Sequence, residues 1–248
     1  MYNPFSLENK TILITGASSG IGRATAIECS KLGAKVIITA RNRERLQKTF
    51  DSLEGNGHEM YFCDLSDSDA IGDMVSRISE IQGLINNAGF TKLLPLQFVK
   101  EDTLKSIMQV NTIAPIMLLQ KLLKQKKLRT HSSVVFTSSL AGLGTVSVGN
   151  SMYAATKGAI SAFVKNAALD LSVKKIRVNA VCPAMISTEI LNSEIVTKEQ
   201  LEEDIKNYPL GRYGDPCDVA FAIIYLLSDA SSWITGTNLI IDGGLTLK

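Results

Sequence analysis

A doubly wound α/β fold, one parallel sheet covered by helices on both faces, is the architecture this chain predicts. Three observations carry that reading. Short continuous apolar runs alternate with helix-patterned segments nearly throughout. The first of those runs leads directly into a glycine-rich turn. No internal repeat, low-complexity stretch or linker divides the 248 residues, so a single domain spanning 1–248 is expected. Strands buried on both faces read as unbroken apolar runs, and βαβ crossovers lay helices over each face.

The elements follow in order. Thr11–Thr15 (TILIT) predicts a buried strand, and a helix runs from Ile21 to about Leu32. Lys35–Ala40 (KVIITA) predicts a second strand, followed by a charged helix from Asn42 to about Leu53. Glu59–Cys63 is the third strand, with a helix opening at the capping pair Ser66-Asp67. Gly83–Asn86 ends a fourth strand, and a long helix from about Glu101 to Lys126 is kinked at Pro115. Ser133–Ser138 is the fifth strand. The helix after it carries Tyr153 and Lys157 to about Leu171, with Ile160, Phe163, Val164, Ala167 and Leu171 as its core-facing stripe. Ile176–Cys182 is the sixth strand. A polar, helix-prone insertion at about 187–208 would cover the substrate, Asp215–Leu227 forms another helix, and Asn238–Ile241 is a short last strand. About seven parallel strands result, with ligand sites at their carboxyl ends where strand order reverses.

Composition narrows the function. Hydrophobic residues make up 45% and charged residues 20%, a globular balance. The net charge of +2 gives no reason to expect nucleic acid. The basic stretch Lys121, Lys124, Lys126, Lys127 and Arg129 reads as a solvated helix end favoured by the macrodipole, or as a docking face for an acidic carrier. Cys29, Cys63, Cys182 and Cys217 show no CxxC or zinc-like spacing. His58 and His131 are isolated in sequence, so no metal is expected. The first residues lack the basic and apolar regions of a signal peptide, and no apolar run reaches membrane-spanning length. A reduced, cytoplasmic protein with no membrane partner is expected.

Thr15-Gly-Ala-Ser-Ser-Gly-Ile-Gly22 lies between the first strand and the first helix. Glycines there permit a tight turn and close approach of backbone to a phosphate, and the helix N-terminus supplies N–H donors. Downstream, Tyr153-Ala-Ala-Thr-Lys157 sets a phenol and a cation on one helix face. A free tyrosine titrates near pH 10, so proton transfer near neutrality needs a shift of about three units, or ~4 kcal/mol. A nearby ammonium and an oxidised nicotinamide both push that way. The end of the second strand, Thr39-Ala-Arg-Asn42, lacks the acid that would hold a ribose 2′-hydroxyl. Arg41 can instead bond a 2′-phosphate, or sit solvated at a helix start. NADP(H) is therefore favoured over NAD(H).

The glycine spacing, Asn86-Asn87-Ala88-Gly89, the Tyr153/Lys157 pair and the terminal Asp242-Gly-Gly extend over essentially the whole chain. Together they resemble the single-domain short-chain dehydrogenase/reductases, whose Rossmann-type sheet binds a nicotinamide cofactor. The resemblance implies that Gly16, Ser18, Ser19, Gly20, Ile21 and Gly22 hold the pyrophosphate end. It assigns Asp64 and Leu65 to the adenine (Asp64 alternatively to a turn). Asn86 would bond across the sheet, while Asn87, Ala88 and Gly89 border the ribose. Pro183 opens a cofactor-binding segment with Ala184 where the family has Gly, in which the Ile186 backbone groups and the Thr188 hydroxyl would hold the carboxamide.

The same resemblance makes Tyr153 the general acid/base, Lys157 its cationic partner and a ribose ligand, Ser139 the carbonyl's hydrogen-bond donor, and Asn111 the holder of a water linked to Lys157. It implies a homotetramer. Tyr208-Pro-Leu-Gly-Arg-Tyr-Gly-Asp-Pro216 is similar to carrier-protein reductases, which points to a 3-oxoacyl thioester. Sugar, steroid and other secondary alcohols fit the core motifs as well. Thr145–Val148 and Met185 suggest a partly apolar pocket. A dinucleotide-sensing protein without turnover is the non-enzymatic alternative, disfavoured by the complete Asn111/Ser139/Tyr153/Lys157 set.

Overall fold

The computed structural model describes residues 2–188 and 198–247. Seven strands form one wholly parallel sheet in the order β3-β2-β1-β4-β5-β6-β7. They are β1 Thr11–Thr15, β2 Lys35–Ala40, β3 Glu59–Phe62, β4 Ile81–Asn86, β5 Leu128–Thr137, β6 Arg177–Pro183 and β7 Asn238–Ile241. The chain winds outward from β1 to β3, returns to place β4 on the other side of β1, and winds outward again. Loops leaving β1 and β4 therefore diverge and open a crevice at the sheet's carboxyl edge.

Two apolar layers hold the sheet between helices. Along β1, Leu13 faces one layer while Ile12 and Ile14 face the other, as the two-residue repeat of a strand requires. Helices α3 (Ser68–Arg77), α5 (Ala114–Lys124) and α6 (Ser151–Leu171) cover the first face through Ile71, Leu118 and Val164. Helices α1 (Gly20–Lys31), α2 (Arg43–Phe50) and α8 (Pro216–Leu227) cover the second through Ala26, Leu46 and Ile223. The Ile160–Leu171 stripe packs as expected, with Ile160, Val164 and Ala167 buried in the first layer. Cys29, Cys63 and Cys182 are buried.

Helix starts follow local chemistry. Asn42 caps α2 by accepting from Arg45 N at 2.9 Å. Asp67 caps α3 at Asp69 N and Ala70 N, and Asp215 and Asp218 form a capping box on α8. The basic stretch is partly recruited into the fold. Lys127 Nζ donates to Ile78 O at 2.7 Å, satisfying a carbonyl at the end of α3.

Two segments differ from the sequence expectation. The long helix at 101–126 is α4 (Glu101–Met108), a π-helical turn at Gln109–Ile113, and α5. Pro115 lies in the first turn of α5, and the widened turn just before it absorbs the irregularity that its missing N–H imposes. Strand β5 starts at Leu128, earlier than Ser133, because a register shift beside Ile81/Gly83 and a left-handed His131 (φ 63°) interrupt its apolar run. In the polar insertion, Lys198–Ile205 forms α7, and residues 189–197 lie outside the described residues. Among the described residues no helix is long and apolar enough to cross a membrane.

Candidate active site

The turn after β1 needs its glycines for different reasons. Gly16 (φ 67°) and Gly20 (φ 51°) occupy the left-handed region. Gly22 lacks room instead: a Cβ there would lie 2.3 Å from the Gly16 carbonyl oxygen. The turn is stitched to the end of β4. Thr15 Oγ1 accepts from Asn87 N at 3.0 Å and Ala88 N at 3.1 Å. Asn87 Nδ2 donates to the carbonyls of Thr15 and Gly16, both at 3.3 Å, and Thr137 Oγ1 donates to Asn87 Oδ1.

The expectation for Asn86 is corrected here. Its side chain is buried, and neither polar atom has a hydrogen-bond partner among the described residues. Consecutive strand residues point to opposite faces, and it is Asn87 whose amide reaches β1.

These loops enclose a cleft of about 870 Å³. Gly16, Ser18, Ser19, Gly20 and Ile21 line one stretch, Arg41, Asp64 and Leu65 one end, and Asn87, Ala88, Gly89, Tyr153, Lys157 and Thr188 the other. Gly22, Pro183 and Ile186 do not line it. Gly22 acts behind the turn. Ile186 turns its side chain into the core, and its carbonyl accepts from Thr188 N at 2.8 Å. Ala184 has no positive φ, so its Cβ costs the backbone nothing.

Sequence reasoning missed Asn42 and Arg45 at the Arg41 end, and Phe90, Thr91 and Thr137 near Tyr153. Arg45 lies four residues past Arg41, a spacing that would have announced it. Phe90 and Thr91 carry no such signal.

The cleft fits a dinucleotide. The N-terminus of α1 opens onto it, which favours phosphate oxygens. Asp64 accepts from Ser66 N at 2.9 Å and Ser66 Oγ at 2.8 Å. Those bonds, with Arg41 adding a smaller effect, hold its carboxyl below the usual range. Asp64 thus shapes the turn, as its alternative reading had it, and also lines the cleft. Arg43, between the two cleft arginines, turns away and stacks on Phe62 at 4.7 Å.

At the other end, α6 presents Tyr153 and the buried Lys157 one turn apart. Lys157 Nζ donates to Thr137 O at 2.7 Å and lies 5.6 Å from the centre of the Tyr153 ring. Burial brings the lysine down to about 8. Burial also raises the Tyr153 phenol, with the Ser139 hydroxyl working in the opposite direction. The chain by itself thus does not bring the phenol toward neutrality, whereas the sequence reading has the ammonium and the oxidised nicotinamide together push it that way.

Ser139 follows β5, and its Oγ accepts from Ala141 N at 3.2 Å. Asn111 sits in the π-helical turn. Its Oδ1 accepts from Phe90 N at 3.0 Å, and its Nδ2 donates to Phe90 O at 2.9 Å and Thr156 Oγ1 at 3.2 Å. Its side chain therefore ties the 89–90 loop to α6.

A crevice that runs from a helix N-terminus to a tyrosine–lysine pair belongs to the class of enzymes that bring a nicotinamide dinucleotide against a carbonyl or alcohol. Comparison with known proteins makes this specific. A family model described as enoyl-(acyl carrier protein) reductase matches residues 16–246. The 3-oxoacyl-[acyl-carrier-protein] reductase FabG of Rickettsia prowazekii is 32% identical over 241 residues, covering 97% of this chain and 98% of that protein. A tropinone reductase homolog of Arabidopsis thaliana is 35% identical over 251 residues, covering 98% and 95%. A putative 2-deoxy-D-gluconate 3-dehydrogenase of Agrobacterium tumefaciens, solved with bound NADP, superposes with a TM-score of 0.88 at 28% identity over all of both chains. The chain belongs to the short-chain dehydrogenase/reductase family, and it is an oxidoreductase that interconverts CH–OH and C=O groups with a nicotinamide dinucleotide.

Proposed function

We propose that the protein uses NADP(H) to interconvert a ketone and a secondary alcohol with Tyr153 as general acid and base, and that a 3-oxoacyl thioester is its substrate. The pairing of Tyr153 with buried Lys157 at the end of the cleft opposite Arg41 carries the reading. When bound, the dihydronicotinamide supplies hydride to the carbonyl carbon. Tyr153 gives its phenolic proton to the carbonyl oxygen, and Ser139 stabilises the charge that develops there. In the oxidative direction the Tyr153 phenolate takes the alcohol proton. Since burial alone raises the phenol, its activation rests on added positive charge: the Lys157 ammonium turned from Thr137 toward the phenolate, and the oxidised cofactor. Similarity to FabG over nearly the whole chain supports the acyl substrate.

Arg41 and Arg45 at the cleft's far end support the 2′-phosphate preference. Arg41→Ala is expected to raise Kd for NADPH by about 10- to 100-fold, the loss of one charge-assisted bond. Kd for NADH should stay within about threefold. Fluorescence titration of both cofactors checks this, and equal losses for the two would overturn the assignment.

A homotetramer follows from the same family reading. Its support is the apolar side chains exposed on α4, the π-helical turn, α6 and the C-terminal segment: Leu104, Ile113, Leu169, Trp233 and Ile240. Light scattering at micromolar concentration should return four times the 26.9 kDa chain mass; a monomer there contradicts it.

A further inference from the structure

Ser138 does not line the cleft, yet its side chain joins the end of β5 to α6. Its buried hydroxyl lies 3.0 Å from the Lys157 carbonyl oxygen and 2.8 Å from the Ser161 hydroxyl. A carbonyl oxygen only accepts, so Ser138 donates to it and receives its second bond from Ser161. That fixes the order of the two protons. The buried thiol of Cys182 lies against both serines.

The residues on either side of Ser138 hold other points of the same helix. Thr137 O accepts from Lys157 Nζ at 2.7 Å, and the Ser139 hydroxyl lies against the Tyr153 phenol. Three consecutive residues thus meet the lysine's ammonium, its backbone carbonyl and the phenol. The strand behind them is held in turn, since Ser138 N donates to Val181 O at 2.8 Å. The 3₁₀ turn Leu140–Leu143 that follows is seated on the same carbonyl. A Cβ on Gly142 would lie 2.5 Å from Lys157 C and 2.6 Å from Lys157 O, so the turn approaches this closely only with glycine there.

We propose that Ser138 is a positioning residue: by donating to the Lys157 carbonyl it sets the spacing between Ser139 and Tyr153. The inference rests on the Tyr153 acid–base reading of the same site. Ser161 supplies an internal contrast. It lies four residues after Lys157, so without Ser138 its hydroxyl bonds the same carbonyl from within the helix. Ser138→Ala therefore leaves no buried hydroxyl bare and removes only the tie between strand and helix. Ser161→Ala keeps that tie. Each variant ends with one hydrogen bond fewer in the same buried group, so a role in folding alone would make their effects alike.

The test compares Ser138→Ala, Ser161→Ala and Ser138→Thr in reduction of acetoacetyl-coenzyme A by NADPH. Amide hydrogen exchange at residues 140–143 of the free protein gives a readout independent of turnover. Ser138→Ala is expected to lower kcat about 10- to 100-fold, the range that a displacement of up to about 1 Å costs, with KM and Kd for NADPH unchanged. Ser161→Ala should keep the wild-type rate, and Ser138→Thr, which restores the hydroxyl, should recover most of the loss. In oxidation of 3-hydroxybutyryl-coenzyme A by NADP⁺ the rate rises with pH as the phenol ionises. Ser139 favours the phenolate, so in Ser138→Ala that rise should move to higher pH. Lys157 and Cys182 are the titratable side chains against the tie, and every variant keeps both. Exchange at 140–143 should quicken in Ser138→Ala alone. Equal rate losses in the two alanine variants, an unmoved pH profile, or exchange that quickens throughout the chain overturns the positioning role and leaves the Tyr153 reading standing. If the wild type reduces no ketone yet exchange separates the two alanine variants, the tie stands and the reaction assignment falls. Loss of both overturns both.

Discussion

Tyr153→Phe is expected to lower kcat for ketone reduction by about 10²- to 10⁴-fold, the range general acid–base transfer supplies, while Kd for NADPH changes by less than about threefold. The side chain keeps its ring and loses only the oxygen that exchanges the proton. Tyr153 makes one wall of a cleft lined by many residues, so cofactor binding should survive. Initial rates from NADPH absorbance and a fluorescence titration separate the two effects. A variant that keeps most of its rate would remove Tyr153 from the chemistry. One that loses rate and binding equally would make it a cofactor ligand.

Lys157→Met should abolish turnover and stabilise the folded chain. The lysine is buried and titrates at about 8, against an unfolded value of about 10.4. Keeping that ammonium charged inside the fold at pH 7 costs about 3 kcal/mol. Losing its bond to the Thr137 carbonyl returns about 1 kcal/mol of that, which leaves the variant ahead by ~2 kcal/mol. Its pH dependence follows from linkage. Between about 8 and 10.4 the unfolded chain binds more protons than the folded one, so wild-type stability from this group rises with pH. The variant's advantage should be full below pH 8, shrink through that window, and turn into a deficit of about 1 kcal/mol above it, where only the lost bond to Thr137 remains. Urea unfolding at pH 7 and pH 10 checks the sign. A less stable variant at pH 7 would mean that the lysine's bonds outweigh its desolvation.

Such a trade is expected where function sets the residue. On the proposed reading, a cation placed for a phenolate and a ribose is poorly solvated until those partners arrive. The same logic explains why the phenol is raised in the chain alone: the charge that would lower it belongs to the complex.

Much of the fold was legible because its signals are local. The apolar runs predicted every strand, and Asn238–Ile241 falls on β7 at both ends. The Gly16–Gly22 turn and the Tyr153/Lys157 spacing were legible for the same reason, each being a short pattern with one geometry.

What escaped depends on contacts between distant segments. Nothing in two consecutive asparagines tells which one reaches β1, and the structure assigns that to Asn87 rather than Asn86. The π-helical turn places Asn111 against Phe90 and Thr156, an outcome of packing between α6 and the 89–90 loop. The early start of β5 is hidden by the polar, exposed residues Arg129–His131 around its irregular register.

The proposed reaction transfers hydride directly from a dihydronicotinamide to a ketone held at Tyr153. The measurement that tests it most directly is the mass of the alcohol formed from acetoacetyl-coenzyme A with NADPH deuterated at both nicotinamide C4 positions. Direct transfer yields a 3-hydroxyacyl product carrying one deuterium on its carbinol carbon, formed by the wild type and lost with Tyr153→Phe. Unlabelled product, or no product from protein shown to bind NADPH, would contradict it.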